Sequence, residues 1–182
     1  MSKEPHRLPG DPSRAEDVAR MLRVDHAGEY GATRIYDGQL AVLGRSASAP
    51  VIRRMAEQEK RHLAAFDRLV VERRVRPTLL SPLWHAAGYA LGAATALLGE
   101  RAAMACTVAV EEVIDEHYRD QVDRLGKDEP ELTAAITEFR AQEIEHRDTG
   151  LAHGAESAPA YPALSAAIKA GSRVAIWLST RL

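Results

Sequence analysis

The sequence predicts an all-α protein: a four-helix bundle made from a duplicated helical hairpin, with two accessory helices that suit a membrane surface. Three observations predict it. No run of useful length alternates with strand period, whereas caps and breakers divide the chain into helical segments. The two halves repeat one set of spaced residues. The 182 residues are enough for one domain and not comfortably for two.

The helices follow in order. Ser13 with Glu16 forms a capping box, and a first helix runs from about Arg14 to Leu43. GRSASAP (44–50) is a loop, and a second helix covers about Val51 to Arg73. Pro82 suits the first turn of a third, apolar helix that runs to Leu98 and breaks at Gly99. A fourth helix spans about Arg101 to Leu125. GKDEP (126–130) separates it from a fifth, Pro130 to Leu151, where Asp128 with Glu131 gives another cap pattern. After GAESAPAYP, residues 163–180 form an amphipathic closing helix. The expected division is a flexible arm at 1–12 and one domain at 13–182, with repeat halves at about 14–75 and 101–151 and a crossover helix at about 82–98. The N-terminus has no apolar core of a secretory signal and is too acidic for a transit peptide.

Composition narrows the chemistry. Hydrophobic residues at 46% and charged residues at 27% exclude disorder and a polytopic membrane protein. A net charge of −2 offers no field for nucleic acid. The one cysteine, Cys106, excludes a disulfide framework and every Cys-based zinc site; among Ala, Thr and Val it reads as a small core residue. Any metal site must therefore use His and carboxylates.

The repeat supplies them. Gln58-Glu59-Lys60-Arg61-His62 and Gln142-Glu143-Ile144-Glu145-His146 both read Q-E-x-x-H. Glu29 is followed by Tyr36 and Gln39, and Glu111 by Tyr118 and Gln121, at the same spacings. Residues i and i+3 on a helix lie about 60° apart with ~4.5 Å of rise, so a Glu and a His so placed can converge on one ion. Two such helices facing each other bring two ions together, and a Glu from each remaining helix bridges or completes the pair. Four carboxylates balance two divalent cations; without metal they would repel and shift upward in pKa. Such oxygen-rich ligation suits iron or manganese rather than tetrahedral zinc.

Several neighbours need separate assignments. Glu57, Glu112 and Glu145 sit beside proposed ligands and point elsewhere; the spacing to Tyr118, Gln121 and His146 selects Glu111 over Glu112. Tyr36 and Tyr118 fall near the metal-facing stripe, ~10 Å along the axis. They read as core aromatics closing the bundle, or as hydrogen-bonding, gating or electron-relay residues. His26 and His117 lie off that face and suit surface or supporting roles.

Asp25-His26-Ala27-Gly28-Glu29-Tyr30-Gly31-Ala32 resembles the DHAGEYGA signature of the demethoxyubiquinone hydroxylases, di-iron enzymes of ubiquinone biosynthesis with a ferritin-like fold. Arg34-Ile35-Tyr36, Val75-Arg76-Pro77-Thr78, Ala93–Gly99 (AATALLG), Ala103–Glu112 (AMACTVAVEE) and Ala160-Tyr161-Pro162 extend the resemblance over about Ala15 to Leu182. It implies iron ligands at Glu29, Glu59, His62, Glu111, Glu143 and His146, which are also the catalytic residues through the metal pair, with Tyr118 as a further candidate. It implies two iron ions per chain, O2 as co-substrate and a polyprenyl benzoquinone substrate, 2-polyprenyl-3-methyl-6-methoxy-1,4-benzoquinone. NADH is the implied electron source, although no G-x-G-x-x-G fingerprint is present. Ubiquinone-biosynthesis partner proteins and a homo-oligomer are further implied partners. The classes that share these ligands are iron oxidation or storage, a peroxidase, and a non-catalytic membrane-bound scaffold.

A long-tailed quinone lives in a bilayer. From Pro77 to Gly99 there is no Asp, Glu, Lys or Arg. A span needs ~20 mostly apolar residues, but this stretch holds His85, Ser81, Thr95, prolines and glycines, so interfacial contact is the expectation. Arg73, Arg74 and Arg76 flank it and suit anionic headgroups, and both tryptophans, Trp84 and Trp177, fall in the two accessory helices. The expected location is peripheral, on the cytoplasmic face of a bacterial cell membrane, or on the matrix side of the mitochondrial inner membrane for a trimmed eukaryotic chain.

Overall fold

A computed structural model describes residues 11–182, so most of the expected arm at 1–12 lies outside the described residues. Six α-helices and one short 3-10 turn make up the fold, with no strand among the described residues. Helix α1 spans Arg14–Leu43 and α2 spans Ala49–Glu72. Helix α3 is Ser81–Leu97, α4 is Glu100–Leu125, α5 is Pro130–Ala152 and α6 is Tyr161–Ser179. The expected boundaries hold to within two residues. Helices α2 and α6 start two residues early because Pro50 and Pro162 occupy first-turn positions, where a missing N–H costs nothing.

Local signals explain most ends. The Ser13 hydroxyl accepts from the Glu16 N–H at 3.2 Å, and the Ser13 N–H donates to Glu16 Oε2 at 2.7 Å, completing the capping box of α1. One expected cap is corrected. Pro130 fixes the first turn of α5, so the cap position falls on Glu129 and not Asp128, and no side chain caps it. Asp128 instead approaches Arg14 at 3.7 Å. Gly99, between α3 and α4, takes a positive φ of 112° that an L side chain resists.

Helices α1, α2, α5 and α4 form the four sides of a ferritin-like bundle, α1 with α2 as one antiparallel hairpin and α4 with α5 as the other. One apolar cluster (Tyr36, Ile52, Met55, Met104, Val108) and a second (Leu22, Phe66, Tyr118, Leu132, Ile136) fill its interior. Cys106 is fully buried in a third cluster with Ile168 of α6.

Helix α3 lies against α1 with backbones nearly touching. A Cβ at Gly92 would collide with the Ile35 carbonyl, and one at Gly88 would sit 2.8 Å from the Gly31 carbonyl. Helix α6 packs on α4. The ends of α3 and α6 are tied together: Trp84 Nε1 donates to Ser179 Oγ at 2.9 Å, and the Leu79 N–H donates to the Leu182 carbonyl at 3.2 Å. The two tryptophans therefore differ. Trp84 turns its indole N–H inward, while Trp177 is 54% exposed, with Arg181 over its ring at 4.2 Å. Arg73 is held in an ion pair with Glu129 at 2.9 Å. Leu83, Leu97 and Val174 are exposed on the accessory helices and Leu98 just after α3, and among the described residues no helix is long and apolar enough to cross a membrane.

Candidate metal centre

The structure brings all six expected ligands together in the buried middle of the bundle. Each is at most 3% exposed. They form two overlapping groups, Glu29, Glu59, His62 and Glu143, and Glu59, Glu111, Glu143 and His146, whose ligand atoms lie within 4.8 Å of one another. Glu59 and Glu143, the glutamates of the two Q-E-x-x-H motifs, belong to both groups. Glu29 and Glu111 each complete one. The lone glutamates of α1 and α4 thus fall in one group each, and those of α2 and α5 in both.

The imidazoles face this cluster through one nitrogen each. His62 Nδ1 lies 2.9 Å from Glu143 Oε1 and 3.4 Å from Glu29 Oε2. His146 Nδ1 lies 3.0 Å from Glu59 Oε1 and 3.1 Å from Glu143 Oε2. Both Nε2 atoms point outward to amide oxygens. His62 Nε2 donates to Gln142 Oε1 at 2.9 Å, and His146 Nε2 to Gln58 Oε1 at 3.1 Å. An amide oxygen only accepts, so Nε2 carries a proton on each ring, and Nδ1 is the nitrogen that faces the carboxylates.

The tyrosines settle as both core and hydrogen-bonding residues. Tyr36 O–H donates to Glu111 Oε1 at 3.1 Å, and Tyr118 O–H donates to Glu29 Oε1. Burial and the nearby carboxylates push both phenols well above their ordinary pKa, so they act as neutral donors. His117 and His26 stand apart. His117 Nε2 lies 3.1 Å from buried Asp25, to which Gln121 Nε2 also donates at 2.7 Å, and His26 pairs with Asp67. Glu57 pairs with Lys60 and Glu112 with Lys169, while Glu145 is exposed; none joins the cluster.

Four carboxylates buried in one cluster need compensating positive charge. Two like charges ~4 Å apart at an effective dielectric of ~20 repel by about 4 kcal/mol. Four such carboxylates together would overwhelm a net fold stability of about 5–15 kcal/mol. The metal-free chain answers with protons. Burial and mutual repulsion push Glu29, Glu59 and Glu111 up. Burial pulls the imidazoles down, but the bridging carboxylates win and raise His62 to about 11 and His146 to about 10. Glu143, flanked by both, is drawn down to about 2 against its burial. Glu29 Oε2, Glu59 Oε1 and His62 Nδ1 are buried without an aligned hydrogen bond. Carboxylate oxygens and two imidazole nitrogens, partly unsatisfied and facing one another, fit a pair of divalent iron or manganese ions.

An apolar cavity of about 370 Å³ lies on the far side of the α1–α4 seam, between those helices and α3 and α6. Ala27, Gly28, Ile35, Trp84, Leu91 and Ile114 are among its walls. Gly28 immediately precedes Glu29, and wall residue Val110 precedes Glu111, so the cavity and the carboxylate cluster share one helix seam. Sequence reasoning did not identify this cavity. The small residues Ala27, Gly28, Gly31 and Ala32 of α1 leave room on one wall, and the other walls come from α3, α4 and α6.

Comparison with known proteins agrees with this architecture. Residues 16–179 match the family model of the ubiquinone biosynthesis protein COQ7. The chain is 66% identical over 177 residues to the 3-demethoxyubiquinol 3-hydroxylase of Rhodospirillum rubrum, covering 97% of this chain and 84% of that protein. It is 59% identical over 169 residues to the human NADPH-dependent mitochondrial 3-demethoxyubiquinone 3-hydroxylase (91% and 78% covered). It is 41% identical over 187 residues to the mitochondrial 5-demethoxyubiquinone hydroxylase of Saccharomyces cerevisiae (93% and 80% covered). With the family match running from the first turn of α1 to the end of α6, the chain belongs to the COQ7 family of ubiquinone biosynthesis proteins.

Proposed function

We propose that this chain is a hydroxylating oxidoreductase of ubiquinone biosynthesis that adds oxygen from O2 to the ring of 2-polyprenyl-3-methyl-6-methoxy-1,4-benzoquinone at a di-iron centre. The observation that carries the reading is the pair of buried Glu/His groups sharing Glu59 and Glu143, one helix seam from an apolar cavity. Iron storage or a peroxidase would need the ligands but no such cavity.

Glu29, Glu59, His62, Glu111, Glu143 and His146 would hold the two irons, Glu59 and Glu143 being the residues common to both groups. Bound there, the iron pair supplies O2 activation and redox electrons. The chain does the rest. Tyr118 and Tyr36 restrain the Glu29 and Glu111 carboxylates by hydrogen bonds to one oxygen each. Gly28 and Ala27 leave room for a flat ring to approach the seam, and the apolar walls exclude water. The prenyl tail leaves between α3 and α6, whose exposed Leu83, Leu97, Val174 and Trp177 rest on the membrane surface. The site is then peripheral, on the cytoplasmic face in a bacterium or the matrix face in a mitochondrion. The electron donor is a reduced nicotinamide; the human relative's name specifies NADPH, and an assay supplying NADH and NADPH separately decides between them.

The test is the quinone profile of a strain that lacks the gene and any second hydroxylase for this step. The methoxy-quinone precursor should accumulate and ubiquinone should fall, with restoration by the intact chain and not by Glu59→Ala. Normal ubiquinone in that strain would contradict the reading.

A further inference from the structure

Each half of the repeat orients the histidine of the other half. Gln58 precedes Glu59 on α2, yet its Oε1 accepts from His146 of α5 at 3.1 Å. Gln142 precedes Glu143 on α5, yet its Oε1 accepts from His62 of α2 at 2.9 Å. The Gln142 amide is itself steered, since its Nε2 donates to Glu138 Oε1 at 3.4 Å and leaves the oxygen facing His62. The geometry follows from the hairpins. On its own helix each Gln lies four residues from its His, but the facing α2 and α5 place each amide beside the other helix's ring.

We infer that Gln58 and Gln142 are positioning residues that act crosswise, each fixing the Nδ1-ligating tautomer and the ring plane of the imidazole in the opposite half. The chemistry favours an amide in this role. A metal-ligating His usually donates its second N–H to a carboxylate, a backbone carbonyl or water, which fixes its tautomer. Here a neutral side-chain amide takes that place on both rings, so the four carboxylates remain matched to two divalent cations with no further negative charge. The crossing also means that neither hairpin builds a complete ion site alone. The two tyrosine hydroxyls follow the same rule, Tyr36 of the first half holding Glu111 of the second and Tyr118 holding Glu29.

This inference rests on the di-metal reading, and the test separates the two. The metal-free full-length chain is titrated with Co2+, with ligand-field absorption and melting temperature as readouts beside activity. The unaltered chain should bind two Co2+. Gln58→Leu, which keeps the side-chain volume and removes the acceptor, should weaken one of them about 10–100-fold and shift part of the visible bands. It should lower the metal-free melting temperature only by the loss of that one hydrogen bond. Gln142→Leu should do the same to the other ion. Gln58→Glu, which restores an acceptor, should recover the affinity. Adding Gln58→Leu to His146→Ala should cost little beyond His146→Ala alone, whereas adding it to His62→Ala should weaken the ion that remains. Gln58→Ala repeats the measurement with less bulk should Gln58→Leu fold poorly. If acceptor removal leaves both affinities and the bands unchanged, or if Gln58 couples to His62 instead of His146, the crosswise assignment is overturned while the di-metal reading stands. If the unaltered chain binds no Co2+, both fall.

Discussion

The two halves of the repeat carry the same ligands in different surroundings. Around His62, Phe139 lies tilted over the ring at a centroid distance of 4.4 Å, and Phe66 packs edge-on against Phe139. The positions equivalent to Phe139 and Phe66 in the other half are Met55 and Gly150. Beside His146 lies a polar cleft of about 530 Å³ lined by Arg54, Gln58, Arg61, Glu145 and Thr149. One imidazole is therefore roofed by aromatics and the other borders a polar cleft. A second difference lies further out. Asp25 anchors His117 and Gln121, while its counterpart Thr107 and the counterpart of His117, Ile35, leave Gln39 to donate to the Ala103 carbonyl at 3.1 Å. Duplication has kept the ligand set and let the supports diverge, so a symmetric site sits in an asymmetric shell.

The comparison can be broken most forcefully at the shared residues. Glu59→Ala or Glu143→Ala should abolish hydroxylation and the loading of both metals, with helical circular dichroism retained. Loss of only one ion would mean that these glutamates are not shared. Glu29→Ala and Glu111→Ala should each lower the metal content from two per chain toward one, and equal loss of both ions from either would deny that each serves one ion. An intermediate effect concerns pH in the metal-free chain. His62 and His146 are raised to about 11 and 10, so their stabilisation is full below the ordinary histidine value near 6.5 and is lost as pH rises through those values. Glu29, Glu59 and Glu111 are also raised, so their ionisation above the usual carboxylate range acts in the same direction. Glu143 opposes, losing its contribution as pH falls through about 2. The melting temperature of the metal-free chain should therefore fall from pH 5 upward, and metal loading should flatten that slope. A flat metal-free profile would contradict the electrostatics. The smallest effect sharpens the outer asymmetry. Asp25→Ala leaves His117 and Gln121 without their buried partner and should cost about 1–3 kcal/mol in denaturant unfolding. Thr107→Ala, at the equivalent position, should cost less.

Much of this was legible in the sequence because the signals were local or repeated. Ser13 with Glu16, the breaker at Gly99 and the prolines at helix starts set element ends within two residues. The doubled Q-E-x-x-H and the paired Glu and Tyr spacings marked all six residues of the buried cluster and both tyrosines. What escaped depends on how helices face one another. Gln58 was visible as part of a pattern, but nothing in its own helix says that its partner is His146. The apolar cavity exists because Gly88 and Gly92 seat α3 tightly on α1 while α6 covers α4, and no single stretch encodes that space. The Asp128 cap failed for a local reason, since a helix that starts at Pro130 puts Glu129 and not Asp128 at the cap position. Arg73 read as free to meet a headgroup, but Glu129 from another part of the chain holds it.

The central claim is that four buried carboxylates and two imidazoles hold two metal ions. Anaerobic titration of the metal-free chain with Fe2+, followed by iron determination after removal of unbound metal, tests it most directly. Iron binding should saturate at two per chain, falling toward one in Glu29→Ala. Saturation at one, or no retained iron, would contradict it.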